Sequence, residues 1–339
     1  MFFETIHNSV NFLTTALLDI RFQIVFGALV LAQWATRLPR KKKGSANKSV
    51  FITGCDTGMG HRMAIRFDEL DMNVFAGCLR PNGPGAQKLR TTCSSRLHIV
   101  PLDITKEDQV EAAVEYVKAN LPDGQRGLYC LINNAGVLTY AGFDLMTFRM
   151  TEEVISINLV GTLRVTKHFL PLLYEAPGRI VAVTSILSRF VAPKSSVYCA
   201  SKYGLEGFFA GLRHDVEHKG IRVSTIEPGD FTHCTDIMQY TRNHLDEMWD
   251  NLTPEEQESQ RGFFEGVKKS LKREVYSKSD QEKVYKVLLD DVEDAMFVEE
   301  PKWRYVSAPW LARFGFWMLR NLPERLIYKL LSRRGKKND

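Results

Sequence analysis

The stretch Val50-Phe51-Ile52-Thr53-Gly54-Cys55-Asp56-Thr57-Gly58-Met59-Gly60 passes from a short apolar run into a turn with glycines at 54, 58 and 60. A run of this kind, rich in Val, Ile and Phe and closed by glycine, is the pattern of a fully buried strand. His61–Asp71 follows with apolar and charged residues mixed at helical spacing, so the glycines join a strand to a helix. The same alternation continues down the chain. Residues 73–79, 97–105, 128–136, 179–185 and 221–229 read as further strands, and 106–120, 151–173 and 197–218 as helices. Strands alternating with helices predict an α/β fold, a doubly wound parallel sheet covered on both faces, with ligands at the carboxyl ends of the strands.

The pattern T-G-x-x-x-G-x-G in that opening turn suits a dinucleotide. Glycines permit a tight turn and let the backbone approach a pyrophosphate, whose charge rests on the N-terminus of the following helix. The acid that commonly ends the second strand and holds the ribose hydroxyls is missing: Cys78 stands there, and Arg80 beyond it could pair with a 2′-phosphate. Spacing therefore leaves NAD and NADP both open.

A second set of residues carries acid–base chemistry. Tyr198 and Lys202 are one helical turn apart, on one face. A phenol titrating near 10 is a poor acid or base at neutral pH unless a neighbouring cation stabilises its phenolate. Ser185, at the end of the fifth strand, can hold the reacting oxygen against Tyr198. Asn158, inside the preceding long helix, can hold a water linking Lys202 to solvent.

With these residues in order, the chain resembles the classical short-chain dehydrogenase/reductase family over roughly residues 48–300. T-G-x-x-x-G-x-G, Asp103 after the third strand, N-N-A-G at 133–136, Asn158, Ser185, Tyr198, Lys202 and Pro228-Gly229 carry the match. The resemblance implies a Rossmann-type sheet, a catalytic set of Asn158, Ser185, Tyr198 and Lys202, and an alcohol–carbonyl interconversion. It also implies cofactor contacts from Thr53, Gly54, Asp56, Thr57, Gly58, Met59 and Gly60 on the first turn and from Cys78 on the second strand. Further contacts come from Asp103 and Ile104, from Asn134, Ala135 and Gly136, from Tyr198 and Lys202, and from Pro228, Gly229 and Phe231. The stretches ITGCDTGMG, FAGCL, FLPLL, YCASKYGLEGF and IEPGDF are similar to the branch of retinol and hydroxysteroid dehydrogenases, which also holds D-3-hydroxybutyrate dehydrogenase. The resemblance also implies that members whose second strand ends in Cys-Leu, as at Cys78-Leu79, with no acid there, generally use NAD, so NAD is the expected cofactor, with NADP not excluded. In this family residues 230–280 would cover the substrate.

Composition limits the alternatives. The 339 residues are 44% hydrophobic and 25% charged, as in an ordinary folded protein. A net charge of +5 gives no argument for nucleic acid. Six cysteines without a C-x-x-C pair indicate reduced thiols rather than zinc or disulfides, and His233-Cys234 has no further ligands nearby, so no metal is expected.

Four parts are expected: an apolar membrane-anchoring segment (1–36), a basic linker (37–48), the Rossmann domain (49–300) and an amphipathic C-terminal segment (301–339). Residues 22–36 carry no charge but reach only about 22 Å as a helix, short of a full span. The cluster Arg37, Arg40, Lys41, Lys42, Lys43 should stay cytosolic. Arg21 is the only basic residue before it, too few for a mitochondrial presequence. The expectation is a lipophilic substrate, steroid or retinoid, drawn from the cytosolic face of the endoplasmic reticulum membrane. The alternatives are a D-3-hydroxybutyrate-type enzyme at the mitochondrial inner membrane, or a non-catalytic nucleotide- or lipid-binding protein. The expected partners are the substrate and a membrane surface, with no nucleic acid; a homo-oligomer is allowed.

Overall fold

The computed structural model describes residue 24 and residues 44–176, 178–271, 276–323 and 325–329. The chain separates into Met1–Lys41 and Lys42–Asp339. The expected anchor (1–36) and nearly all of the basic linker up to residue 43 lie outside the described residues, Ile24 excepted. Among the described residues no helix is long and apolar enough to cross a membrane.

The second unit is built on seven parallel strands: β1 (Ser49–Thr53), β2 (Asn73–Cys78), β3 (Leu97–Pro101), β4 (Cys130–Asn133), β5 (Arg179–Val183), β6 (Arg222–Pro228) and β7 (Arg304–Ser307). Their order is β3-β2-β1-β4-β5-β6-β7. The winding reverses between β1 and β4, and that is where a doubly wound sheet opens a crevice. β7 lies past residue 300, inside the expected C-terminal segment, and pairs with β6 from Thr225↔Arg304 to Pro228↔Ser307. The sheet thus runs beyond the expected end of the domain.

Period-two alternation in β1 divides the core. Val50 and Ile52 face one apolar cluster with Phe67 of α1 (Gly58–Glu69), Leu89 of α2 (Pro84–Thr92) and Leu288. Phe51 faces the other, with Val110 of α3 (Glu107–Ala119), Phe169 and Phe209. The Phe51 and Phe169 ring centroids are 4.3 Å apart. Burying large side chains of this kind is worth about 1.5–3 kcal/mol each.

The helix expected over 151–173 is interrupted. It comprises α4 (Phe148–Ile155), a π-helical segment Ser156–Gly161 and α5 (Thr162–Glu175). Such wide turns recur at functional sites, and here the segment contains Asn158. α6 (Ser196–Glu217) then packs beside β5 and β6. The polar stretch after β6 is helical, as α7 (Gln239–Asn243), α8 (Leu245–Asp250) and α9 (Pro254–Leu271). Its Met248 and Phe264 bury against Leu145, Met150 and Val197 in a third cluster over the strand ends. α10 (Lys278–Phe297) covers the first sheet face, and α11 (Trp310–Asn321) follows β7. Five cysteines are buried; Cys93 alone is partly exposed.

Candidate active site

A cleft of about 550 Å³ opens at the carboxyl ends of β1, β4 and β5. On one side it is lined by Gly54, Asp56, Thr57, Gly58 and Met59, on the other by Val183, Thr184, Tyr198 and Lys202. Asn134, Ala135, Gly136 and Val137 form its floor, and Asp103 and Ile104 its far end.

The first turn fits a dinucleotide. Gly54 and Gly58 adopt φ +73° and +62°, values that favour glycine. A Cβ on Gly60 would fall 2.2 Å from the Gly54 carbonyl oxygen. At the N-terminus of α1, Thr57 makes no side-chain capping bond and the first turn carries no acid. The helix end therefore presents open N–H groups to the cleft, as anion binding requires. The Thr53 hydroxyl accepts from the backbone N–H of both Asn134 and Ala135 at 2.9 Å, stitching the ends of β1 and β4 together. Asn134 Nδ2 donates back to Thr53 O and Gly54 O.

Asp56 brings an acid close to the end of β2. Its carboxylate accepts from Leu79 N and Arg80 N, both at 2.8 Å, so a negative charge sits just past β2. Sequence spacing placed Cys78 there, but Cys78 is fully buried in the core beneath the cleft. Arg80 is exposed and outside the lining. Asp56 is among the expected cofactor contacts of the first turn; its bonds to the backbone just past β2 are what the sequence does not report.

The four expected catalytic residues converge. Tyr198, Lys202, Ser185 and Asn158 are all buried. Ser185 faces the Tyr198 hydroxyl closely enough to hold its pKa down, and Ser185 Oγ accepts from Leu187 N at 3.1 Å. Lys202 Nζ donates to Val183 O at 3.1 Å and stands 5.7 Å from the centre of the Tyr198 ring. Burial raises the Tyr198 hydroxyl to about 12, opposed by Ser185. Burial also lowers the Lys202 ammonium to about 8, opposed by the charge of Glu206. The Asn158 side chain is committed to the loop after β4: Oδ1 accepts from Val137 N at 2.8 Å and Nδ2 donates to Val137 O at 2.9 Å. It braces Gly136-Val137 and, through Nδ2 to Ser201 Oγ at 3.1 Å, ties them to α6.

Of the remaining expected residues Asp103 lines the cleft, whereas Pro228, Gly229 and Phe231 are not among its lining. Asp103 Oδ1 accepts from the Thr105 backbone N–H and hydroxyl. Pro228 and Gly229 pair with Ser307 of β7. Phe231 is buried, its ring 6.0 Å from that of Tyr285. His233 stacks on Tyr276. Thr235, Asp236 and Ile237 also line the cleft; sequence reading placed them only within a general covering segment. Lys194, at φ +65°, sets its ammonium 4.6 Å over the Phe263 ring and ties α9 to the loop before Tyr198.

Residues 48–246 match the model of the short chain dehydrogenase family. The chain belongs to that family. This short-chain dehydrogenase is 38% identical to 17-beta-hydroxysteroid dehydrogenase type 6 of Bos taurus, over 85% of its own length and 88% of the relative's. It is 36% identical to retinol dehydrogenase 5 of Homo sapiens, over 91% and 95%. The mitochondrial D-beta-hydroxybutyrate dehydrogenase of Mus musculus is 35% identical over 77% of each chain. The fold is shared with a short chain dehydrogenase from Burkholderia cenocepacia solved in complex with NADP, at TM-score 0.60 and 20% identity, covering 85% of this chain and 99% of that one. As a member of the family, this short-chain dehydrogenase is an NAD(P)-dependent oxidoreductase acting on CH–OH groups.

Proposed function

We propose that the chain binds NAD in this cleft and interconverts an alcohol and a carbonyl on a lipophilic steroid or retinoid. The observation that carries the chemistry is the meeting of Tyr198 and Lys202 on one face of α6 with Ser185 at the end of β5. Bound NAD supplies the hydride acceptor for oxidation, and its reduced form the donor for reduction. Ser185 fixes the substrate oxygen beside the Tyr198 hydroxyl, which takes or gives the proton at that oxygen. Lys202 lends positive charge to the Tyr198 phenolate and holds the nicotinamide ribose. Gly54, Gly58 and the N-terminus of α1 hold the pyrophosphate, and Asp56 the adenine ribose. Its carboxylate repels a 2′-phosphate, which supports NAD over NADP.

The steroid or retinoid class rests on the two relatives named for those substrates, each covering most of the chain. An apolar supply route supports it: one face of α11 exposes Trp310, Leu311, Phe314 and Trp317, beside Arg313 and Arg320. Aromatic and basic residues mixed on a short helix suit a membrane interface. With residues 1–36 as anchor and 37–48 as basic linker, the catalytic domain would stand on the cytosolic face of the endoplasmic reticulum.

The test is turnover by full-length protein in detergent, with NAD and NADP each offered against retinol, a secondary-alcohol sterol and 3-hydroxybutyrate. Activity with NAD on the first or second substrate is expected. Activity confined to 3-hydroxybutyrate would overturn the substrate class. Tyr198→Phe is expected to lower kcat by about 10²-fold or more while NADH still binds; a smaller loss would overturn the role of Tyr198.

A further inference from the structure

Val183 ends β5, Thr184 and Ser185 follow it, and each of the three reaches α6. Ser185 meets Tyr198, the Val183 carbonyl oxygen accepts from Lys202 Nζ at 3.1 Å, and the Thr184 hydroxyl donates to Glu206 Oε1 at 2.7 Å. Tyr198, Lys202 and Glu206 are spaced i, i+4, i+8, so the three contacts form a ladder along one face of the helix. The first two rungs are the proposed catalytic pair. The third has no part in the reaction as described, yet its carboxylate is buried, with its side chain 6% exposed.

A second set of bonds fixes Glu206. Arg189, immediately after the turn that Ser185 opens, donates through Nη2 to Glu206 Oε2 and to Glu227 Oε1, both at 2.7 Å. Its Nε reaches Glu227 Oε1 at 3.0 Å. Arg304 of β7 adds a bond from Nε to Glu206 Oε2 at 3.2 Å. A planar guanidinium bridging two carboxylates is a rigid device. This one ties the Ser185 loop to α6 and β6, and Arg304 joins β7 to the same carboxylate.

We propose that Glu206 is a positioning residue for Tyr198 and Lys202, its buried carboxylate held one helical turn from Lys202 by Thr184, Arg189 and Arg304. The inference rests on the reading of Tyr198 and Lys202 given above. Lys202 is faced by Tyr198 and Glu206 from its own helix and by the Val183 carbonyl from β5. Glu206 is faced by Arg189 from the loop, Arg304 from β7, Glu227 from β6, and by the charge of Arg213 on α6. Glu206 is the carboxylate whose charge acts on Lys202. A buried anion one turn away favours the ammonium over the amine, and with it the ribose contact and the phenolate.

The experiment measures NADH binding by its fluorescence across the neutral and alkaline range, together with kcat and KM for NAD-dependent oxidation of retinol or the sterol. It uses full-length wild type, Glu206→Gln, Thr184→Val and Lys202→Ala in detergent. Wild-type affinity for NADH falls in the alkaline range as Lys202 loses its proton. In Glu206→Gln that fall comes about one pH unit lower, and kcat drops about tenfold with little change in KM. Thr184→Val removes a rung but no charge, so kcat drops while the fall stays where it is in wild type. A fall that does not move in Glu206→Gln would overturn the proposal. If that variant does not fold, a wild-type kcat in Thr184→Val would do the same. Wild-type NADH affinity in Lys202→Ala would instead remove the reading of Lys202 itself, and this proposal with it.

Discussion

Burial holds the Lys202 ammonium at about 8 rather than its ordinary 10.5, and so the residue costs stability while it serves the reaction. Below about pH 8 it is protonated in both the folded and unfolded chain, and the full cost of the buried charge is present. Between 8 and 10.5 the unfolded chain binds more protons than the folded one, so stability rises with pH through that window. Lys202→Met is therefore expected to melt a few degrees above wild type at pH 7 while losing activity, with the difference shrinking as pH rises. Scanning calorimetry at several pH values checks this; a variant melting lower at pH 7 would contradict it. Asp56 gives a second prediction at this scale. Asp56→Asn keeps an acceptor for one of the two backbone N–H groups but removes the charge, so the preference for NAD over NADP should fall by about tenfold. Steady-state kinetics with each cofactor reads that ratio directly; an unchanged ratio would return the choice to other residues.

Within single elements, the turn after β1 carries the tightest steric demand. Gly60→Ala would set a methyl group 2.2 Å from the Gly54 carbonyl oxygen and 2.6 Å from Asn134 Nδ2. Backbone there must shift, and the variant is expected to lose NADH binding and about 2–4 kcal/mol of stability. Urea denaturation and NADH fluorescence would show both; wild-type values in either would refute the close packing of this turn. Strands β1 to β6, the glycine turn and the meeting of Tyr198, Lys202 and Ser185 were legible in sequence because apolar runs and helical spacing report them directly. Three features were not. Asp56 is itself an expected cofactor contact, but its bonds to Leu79 N and Arg80 N, just past β2 and more than twenty residues on, are encoded by no local spacing. The π segment leaves the apolar pattern of 151–173 nearly intact, so it read as one helix. Arg304–Ser307 is as short as β4, but its burial alternates where β4 is buried throughout, so no apolar run marks it until β6 is there to pair with it.

For the whole chain, the question is where the molecule stands. The basic cluster at 37–43 and the exposed aromatic stripe of α11 both suit one anionic surface. Removal of residues 1–43 should raise solubility, and Trp310→Ser with Phe314→Ser and Trp317→Ser should weaken sedimentation with vesicles containing anionic lipid. The inner side of α11, where Phe316 stacks on Phe190, is left untouched, so catalysis in detergent should persist. Residues 1–48 fused to a fluorescent protein should mark the endoplasmic reticulum. Import into mitochondria with trimming would move the reading to 3-hydroxybutyrate.

The burial of five cysteines beside a partly open Cys93 gives the molecule a built-in tally of its own unfolding. A maleimide pulse followed by intact-mass measurement should add one tag to each folded molecule and six to each unfolded one. Partial opening would leave intermediate masses, and peptide mapping would name the region that came apart. Cys55 and Cys78 lie under the nucleotide cleft and Cys199 beside Tyr198, whereas Cys130 sits mid-sheet. Saturating NADH should slow tagging of the first three more than that of Cys130 if the cleft breathes on its own. Equal protection at all four would show that the sheet and the cleft open together.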